Sequence, residues 1–263
     1  MPKVTVVIPC FNQGAYVDEA VDSVLNQTLQ DIEIIIVNDG STDKSTNALL
    51  DAYSKPNTKV ISIKNQGPGV ARNIGISAAA GEYIFPLDAD DKIAPTSLEK
   101  AVVILDEKPE VGIVCSLVDF FGAKRGRFVV SDFSERDLLL ANHICASAMF
   151  RKSDWEHTGG YNVNMKFGWE DWDFWLSLIE LGRSVHRIPE VLFYYRVKNS
   201  SRTTNLTDEK QQAMYRQLFE NHRQLYSENI DHLFAAVEKY RSSWEYHLKT
   251  RLRYYFRYLK SWI

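Results

Sequence analysis

The stretch YIFPLDADD, residues 83–91, places three aspartates directly behind an apolar run. The apolar part predicts a buried strand. Because residues i and i+2 of a strand point to the same face, Asp88 and Asp90 are expected to converge on one cation or ligand. A structural interpretation competes with this one, since ADDKIAPTSLEKA (89–101) resembles a turn that enters a helix with Pro95 in its first turn. The rest of the sequence is needed to choose between the ligand-binding and the structural interpretation of these aspartates.

Strand-like and helix-like patterns alternate along the first 120 residues. Continuous apolar, β-branched runs at 4–9, 32–39 and 59–65 are followed by segments with apolar residues at helical spacing, and the run at 83–90 completes a fourth strand. Repeated β-α-β units predict an α/β fold with a mostly parallel, Rossmann-like sheet flanked by helices on both faces. From about residue 111 the pattern changes to mixed strands and short helices, which indicates an α+β half that covers the cleft.

Composition excludes several classes of protein. The chain has 263 residues, 45% of them hydrophobic, and a formal net charge of -3, so nothing in its charge balance favours a nucleic-acid partner. Its three cysteines, Cys10, Cys115 and Cys145, are far apart, which argues for a reducing compartment and against a zinc site. Neither a signal peptide nor an apolar run of the roughly 20 residues that span a membrane is found, so we expect a cytoplasmic protein.

In open sheets of this kind, ligands bind beyond the carboxyl ends of the strands. The groups found there suit a nucleotide: an acid for ribose or base, a glycine-rich turn, an arginine for phosphate and paired acids for a metal. Each group also has a plain interpretation as a turn, a helix cap or a solvated side chain. The fingerprints of redox dinucleotides and of P-loop nucleotides are both absent, which disfavours dehydrogenases and ATP- or GTP-driven enzymes. The candidates are Pro9, Phe11 and Asn12 after the first strand, Asp39 after the second, Gly67 and Arg72 after the third, and Asp88 and Asp90 after the fourth.

A second acidic segment lies in the other half of the chain. FGWEDWDFWLSLIELG (167–182) predicts a helix with Glu170, Asp171 and Asp173 in its first turn, where the helix dipole favours acids. The tryptophans at helical spacing are typical of an ordinary core stripe. Adjacent Glu170 and Asp171 are harder to explain structurally, because one acid would suffice as a cap.

Taken together and in order, five segments resemble the bacterial family 2 glycosyltransferases with the GT-A fold. The resemblance covers roughly residues 3–205 and implies an inverting enzyme that moves a sugar from a nucleotide sugar, most often UDP-linked, to a hydroxyl acceptor in polysaccharide or glycoconjugate biosynthesis. It divides the chain into a GT-A domain at 1–207, with a nucleotide-binding half (1–110) and an acceptor-side half (111–207), and a helical extension at 208–263. The segments are VVIPCFNQGAYVDEAVDSVLNQT, EIIIVNDGSTDKS, NQGPGVARNIGISAAAGEYIFPLDADD, GGYN and GWEDWDFWLSLIELG.

The resemblance also implies a role for each candidate. The end of the first strand would lie beside uracil or ribose, Asp39 would contact the base, and the loop with Gly67 and Arg72 would help hold the nucleotide. Asp88 would bind on the ribose side, and Asp90 would hold Mg²⁺ or Mn²⁺ on the diphosphate. Asp171 would be the catalytic base, and Glu170 would orient the acceptor or the base.

The chain departs from the family pattern in one place. YYRVKNSSRT (194–203) has Lys198 where a histidine usually completes the metal site. Either the metal is held by fewer protein ligands and more water, or Lys198 itself neutralises the diphosphate as a point charge. Arg202 in the same loop is a second candidate for the diphosphate.

The tail beyond the resemblance predicts two or three helices and ends in KTRLRYYFRYLKSWI (249–263), which is basic and aromatic. This composition suits peripheral contact with an anionic membrane, where a lipid-linked saccharide acceptor would be found, and it equally suits a homo-oligomer interface. Two other functions stay open from the residues alone. One is a non-catalytic module that binds nucleotide sugars or carbohydrates, and the other is a sugar nucleotidyltransferase.

Overall fold

The computed structural model describes residues 1–128, 132, 134–198 and 207–243, and all structural statements concern these residues. Their strands are Val4–Cys10 (β1), Ile32–Asp39 (β2), Thr58–Ile63 (β3), Tyr83–Pro86 (β4), Lys92–Ile93 (β5), Val111–Gly122 (β6), Gly126–Phe128 (β7), Met149–Arg151 (β8) and Ser184–Val197 (β9). Their helices are Gly14–Leu25 (α1), Lys44–Asp51 (α2), Pro68–Ser77 (α3), Ser97–Glu107 (α4), Lys152–Thr158 (α5), Glu170–Glu180 (α6), Asp208–Asn221 (α7), Arg223–Glu228 (α8) and Ile230–Ser242 (α9), with a 3-10 helix at Glu135–Leu139.

All the described strands belong to one sheet with the order β3-β2-β1-β4-β8-β6-β9-β5, and β7 pairs with β6 outside this path. The first four strands of the chain are parallel, as the β-α-β pattern predicts. In the second half, β8 runs antiparallel to both β4 and β6, whereas β6 and β9 are parallel. The predicted α/β architecture with a mixed second half is confirmed.

A hydrophobic core lies on each face of the sheet, which explains why β1 and most of β2 are apolar without alternation. Helix α3 packs very closely on this sheet. A Cβ atom at Gly75 would lie 2.4 Å from Cγ1 of Val7, so only glycine fits there. This close packing places the start of α3 at the carboxyl end of the parallel strands.

The structure corrects two local predictions around the aspartates. Strand β4 ends at Pro86, so Asp88 and Asp90 follow the strand and the same-face argument for them is wrong. The segment after them forms the short strand β5, which pairs with β9, and α4 begins only at Ser97, so Pro95 precedes the helix. Pairing of β5 with the distant β9 overrode the local helix signal.

Three helices, α7 to α9, follow the sheet within the described part of the tail, which ends at residue 243. Helix α7 packs through Met214 and Leu218, which are 2% and 0% exposed, and Leu225 and Leu233 also contact the core beside α6. Among the described helices, none combines the length and the apolar content that crossing a membrane requires. The predictions for Arg202 and for 249–263 lie outside the described residues.

Candidate active site

The loops after β1 and β2 are held together by Asn12. Its side-chain oxygen accepts hydrogen bonds from the backbone N–H groups of Thr42 and Asp43 at 2.8 and 3.0 Å, and its amide nitrogen donates to the Thr42 hydroxyl at 3.0 Å. Asn12 has a φ of 54°, a left-handed conformation that asparagine tolerates better than most residues. Asn12 therefore shapes the cleft as a loop brace, while the neighbouring Phe11 is 43% exposed.

Asp39, at the end of β2, organises the glycine loop. Its carboxylate accepts hydrogen bonds from the backbone N–H groups of Gln66 and Gly67 at 2.8 and 2.9 Å, although Asp39 is only 3% exposed. Gly67 has a φ of 92°, which favours glycine, and no atom lies within 4 Å of the position of a Cβ there. Asp39 thus holds the backbone of this loop in place, while the side of Gly67 where a Cβ would project is open space.

Arg72 links the acids of the two halves. Its guanidinium donates to Glu170 Oε1 at 2.9 Å and to Asp88 Oδ1 at 2.7 Å, and the residue is 2% exposed. Burial by itself would lower the pKa of this guanidinium, but Asp88 and Glu170 raise it above its usual value, so Arg72 stays charged. Its Nε lies buried without a hydrogen-bond partner among the described atoms. The result is a buried ionic bridge from the turn after β4 to the first turn of α6.

The turn after β4 concentrates negative charge. Asp90 forms an ion pair with Lys198, whose Nζ lies 2.6 Å from Asp90 Oδ2. Asp88 instead pairs with Arg72, so the two aspartates contact different basic side chains. Asp91 is 3% exposed, and burial, Asp88 and Asp90 together raise its pKa well above the usual value. This surplus of carboxylates is an arrangement that a bound cation would stabilise.

Arg196 on β9 is a residue that the sequence reasoning missed. Its backbone N–H donates to Asp91 Oδ1 at 2.7 Å and its Nε donates to the Asp90 carbonyl oxygen at 2.7 Å. The guanidinium also lies over the rings of Tyr16 and Phe121, 4.7 and 4.2 Å from their centroids. Arg196 therefore holds the aspartate turn in place, and Asp91 serves as an anchor to β9 instead of a helix cap.

Asp171 lies in the first turn of α6, as predicted, next to Glu170. Burial and the neighbouring Glu170 raise the pKa of Asp171 to about 6, against the opposing effect of Arg72. Its Oδ2 accepts a hydrogen bond of 3.0 Å from Nδ2 of Asn142, in the loop after the 3-10 helix. A carboxyl group with a pKa near neutrality is suited to accept a proton from a substrate.

The two halves of the chain are joined directly beneath these acids. Asn73, next to Arg72 on α3, accepts from the backbone N–H of Tyr161 at 2.8 Å and donates to its carbonyl oxygen at 2.7 Å. The preceding Gly159 and Gly160 have φ values of 77° and 82°, which explains two glycines in the segment GGYN. Tyr161 in turn lies beneath Arg72, whose guanidinium carbon is 5.5 Å from its ring centroid.

The carboxylates of this site fit a hard divalent cation. Among the residues described, no three His, Cys, Asp or Glu side chains are grouped as a preformed metal site. Mg²⁺ is commonly held by one or two carboxylates together with substrate phosphates and water, and Asp90 with nearby Asp88 supplies such oxygens. The cation would have to compete with Lys198 for Asp90.

The structure thus brings most predicted residues to one edge of the sheet. Asp39, Gly67, Arg72, Asp88 and Asp90 follow neighbouring strands, and Arg72 connects them to Glu170 beside Asp171. Pro9 is buried in β1, and Lys198 faces Asp90 from the end of β9. The geometry combines a cluster of aspartates in the turn after β4 with a carboxyl group of raised pKa.

Comparison with known proteins identifies the class. Residues 5–165, more than half of the chain, match the family model described as glycosyl transferase family 2. The chain therefore belongs to glycosyl transferase family 2. This membership favours a sugar transferase over the nucleotidyltransferase and binding-module alternatives.

Its relatives and structural neighbours agree with this assignment. The chain is 31% identical to an uncharacterized glycosyltransferase of Haemophilus influenzae, over 80% of this chain and 70% of that protein. It is 30% identical to a chondroitin synthase of Escherichia coli, over 92% of this chain but only 34% of that protein. The crystal structure of S. aureus TarS 1-349 in complex with UDP-GlcNAc matches with a TM-score of 0.64 at 16% identity, over 87% of this chain and 73% of that chain. This structural likeness confirms the GT-A fold.

Proposed function

We propose that the protein is an inverting glycosyltransferase that moves a sugar from a UDP-linked donor to a hydroxyl of a saccharide acceptor in polysaccharide or glycoconjugate biosynthesis. The observation that carries the proposal is the position of Asp171, whose pKa of about 6 suits a general base. Arg72 links the neighbouring Glu170 to Asp88 in the turn after β4, where the donor is proposed to bind. Base and leaving group would then act on opposite sides of one sugar, so that a single displacement inverts the anomeric carbon.

In this proposal the donor lies across the carboxyl ends of β1 to β4. Asp39 and Asp88 would bind on the nucleoside side, with Pro9, Phe11 and Asn12 forming the wall of that subsite. The backbone at Gly67 leaves room for the nucleotide to approach closely. Arg72 would act mainly by orienting Asp88 and Glu170, because both of these acids already occupy its guanidinium.

The diphosphate would meet Asp90 and Lys198. A divalent Mg²⁺ or Mn²⁺ held by Asp90 would supply positive charge where the leaving diphosphate develops negative charge. Lys198 offers a second positive charge at the same place, since it lies 2.6 Å from Asp90. When the metal takes Asp90, the released ammonium group would turn to the diphosphate, and Arg202 is proposed for the same role.

The proposal also covers the class of acceptor and the place of the protein in the cell. Lipid-linked saccharides are suitable acceptors if the basic tail at 249–263 contacts an anionic membrane from the cytoplasmic face. Self-association through the same tail is the competing proposal. The chondroitin synthases and hyaluronan synthase among its relatives support polysaccharide assembly as the setting.

A panel of donors with product stereochemistry tests the proposal. UDP-glucose, UDP-galactose, UDP-glucuronate, UDP-GlcNAc and UDP-GalNAc would each be incubated with the protein, Mn²⁺ and a set of oligosaccharides, with release of UDP as the readout. We expect at least one α-linked donor to give a β-linked product by proton NMR. Retention of the α configuration would contradict a single displacement, and absence of UDP release from every donor would contradict the UDP-sugar proposal.

A further inference from the structure

Asp171 is held by a residue from outside its own helix. Asn142 donates from Nδ2 to Asp171 Oδ2 at 3.0 Å, while its Oδ1 accepts the backbone N–H of Ile144 at 3.1 Å. Because the Ile144 N–H can bond only to the oxygen of the Asn142 amide, the NH₂ group of that amide must point to the Asp171 carboxylate. Asn142 is itself exposed, and its turn with Ile144 does not require the bond to Asp171.

The loop that carries Asn142 is anchored on both sides. Ile144 is 2% exposed in the core, and the indole N–H of Trp172 on α6 donates to the Leu138 carbonyl oxygen at 2.6 Å. The Tyr226 hydroxyl of α8 donates to the neighbouring Leu139 carbonyl oxygen at 3.2 Å. Helix α6 therefore contacts the loop through Asp171 and the 3-10 helix that precedes it through Trp172. A side chain on such a loop has a defined position relative to the carboxylate.

Other groups set the charge around Asp171. Glu170 on α6 raises its pKa, whereas Arg72 on α3 lowers it, and the Cys145 thiol and the Tyr161 hydroxyl lie within electrostatic range. Asn142 adds a neutral donor that favours the ionised carboxylate. The Asp171 carboxylate has about four acceptor positions, so the bonds from the Asn142 amide and the Trp172 backbone N–H leave room for an acceptor hydroxyl.

We propose that Asn142 is a positioning residue, which holds the Asp171 carboxylate ionised and aligned while it takes the proton of the acceptor hydroxyl. This inference rests on the proposed function of Asp171. In the step itself, the acceptor oxygen forms its bond to the anomeric carbon, the bond from that carbon to the diphosphate oxygen breaks, and the proton moves to Asp171. Asn142 exchanges no atoms, so its contribution is to the rate and pH dependence of transfer.

Two substitutions separate positioning from a purely structural role. Asn142→Asp keeps the acceptor oxygen for the Ile144 turn but replaces the donor with a second negative charge, whereas Asn142→Ala removes both bonds. We expect both variants to lower kcat by roughly 5- to 20-fold with little change in the donor KM. The acidic limb of the pH profile should move to higher pH by about 0.5 to 1 unit, because the ionised form of Asp171 loses a hydrogen bond.

The assay is UDP release from the fastest donor of the panel, with Asn26→Asp as the matched control, since Asn26 is an exposed asparagine directly after α1 and is not among the proposed site residues. An unshifted pH profile and unchanged kcat in Asn142→Asp would overturn the positioning role, provided that Asp171→Asn is inactive. Full activity of Asp171→Asn, or a parent that releases no UDP, would instead overturn the proposed function and this inference with it. Circular dichroism melting verifies that each variant is folded.

Discussion

At the scale of single residues, Lys198 forms an ion pair with Asp90, the proposed metal ligand. Its ammonium group lies 2.6 Å from the Asp90 carboxylate, and 5.6 Å from the ring centroid of Tyr16. A lysine cannot ligate a metal while it is protonated, but it can neutralise phosphate. The structure shows the state with Lys198 on Asp90, and we propose a second state in which a divalent cation binds Asp90 and Lys198 is released.

Calorimetry of UDP binding with Mn²⁺ and with EDTA tests these two states. In Asp90→Ala we expect the gain in UDP affinity from Mn²⁺ to disappear, because the hard oxygen ligand is lost. In Lys198→Ala we expect weaker UDP binding in EDTA and a larger gain from Mn²⁺, because the metal no longer competes with an ammonium group. Asp51→Ala, an exposed acid at the end of α2, is the control. A full Mn²⁺ effect in Asp90→Ala would refute the role of Asp90.

The residues that local patterns revealed are those at strand ends. Asp39, Gly67 and Asp88 could be located because an apolar run followed by polar residues is a signal within a few positions of the chain. The contacts of Asn142 and Arg196 could not be found this way. Each acts on an acid 29 or more positions away in the chain, and an asparagine in a loop or an arginine in a strand has no distinctive local spacing.

At the scale of elements, His222 connects α7 and α8 to α6. This residue, 2% exposed, lies between two acids of α6, with Nε2 3.2 Å from Asp173 Oδ1 and Nδ1 3.0 Å from Glu180 Oε2. Burial alone would lower the pKa of His222, but the two carboxylates raise it to about 9. The same network gives the buried Asp173 a structural role, because its Oδ1 contacts both His222 and Asn221.

The raised pKa of His222 predicts a pH-dependent stability. A folded pKa of about 9 above the usual 6.5 means that the stabilisation is complete below pH 6.5, declines as pH rises, and is lost above pH 9. A shift of this size corresponds to about 3 kcal/mol. As the pH rises from 6.5 to 9, we expect the urea concentration at the unfolding midpoint to decrease in the parent protein. In His222→Gln it should change much less over the same range. A urea midpoint of the parent protein that does not change across this pH range would contradict a charged His222 between the two carboxylates.

The elements themselves show where a sequence pattern is decisive and where it is not. The bounds of β2 match the predicted 32–39, since a strand buried on both faces is apolar along nearly its whole length. The segment at 92–93 lies in the predicted turn before the helix, but it forms a strand because it pairs with β9, where the partner of Ile93 is Phe193, 100 residues along the chain. Such pairings depend on the assembled sheet and cannot be read from the segment alone.

At the scale of the whole molecule, one sheet carries both halves of the site. Strand β8 joins β4 to β6 by antiparallel pairing, and the Arg72 bridge and the Asn73 contacts close the same junction on one face. The turn with Asp88 and Asp90 and the helix with Asp171 are therefore parts of one packed unit. The chain matches only 34% of the length of the E. coli chondroitin synthase, so it corresponds to one segment of that longer protein.

Asp171 is the proposed base for sugar transfer, and its amide variant tests that role. Asp171→Asn keeps the shape of the side chain and can still contact Asn142, but it cannot accept a proton at neutral pH. Using the active donor, we expect unchanged donor affinity by calorimetry and a fall in kcat of about 10²- to 10⁴-fold. A variant that binds the donor and transfers sugar at the parent rate would contradict the account.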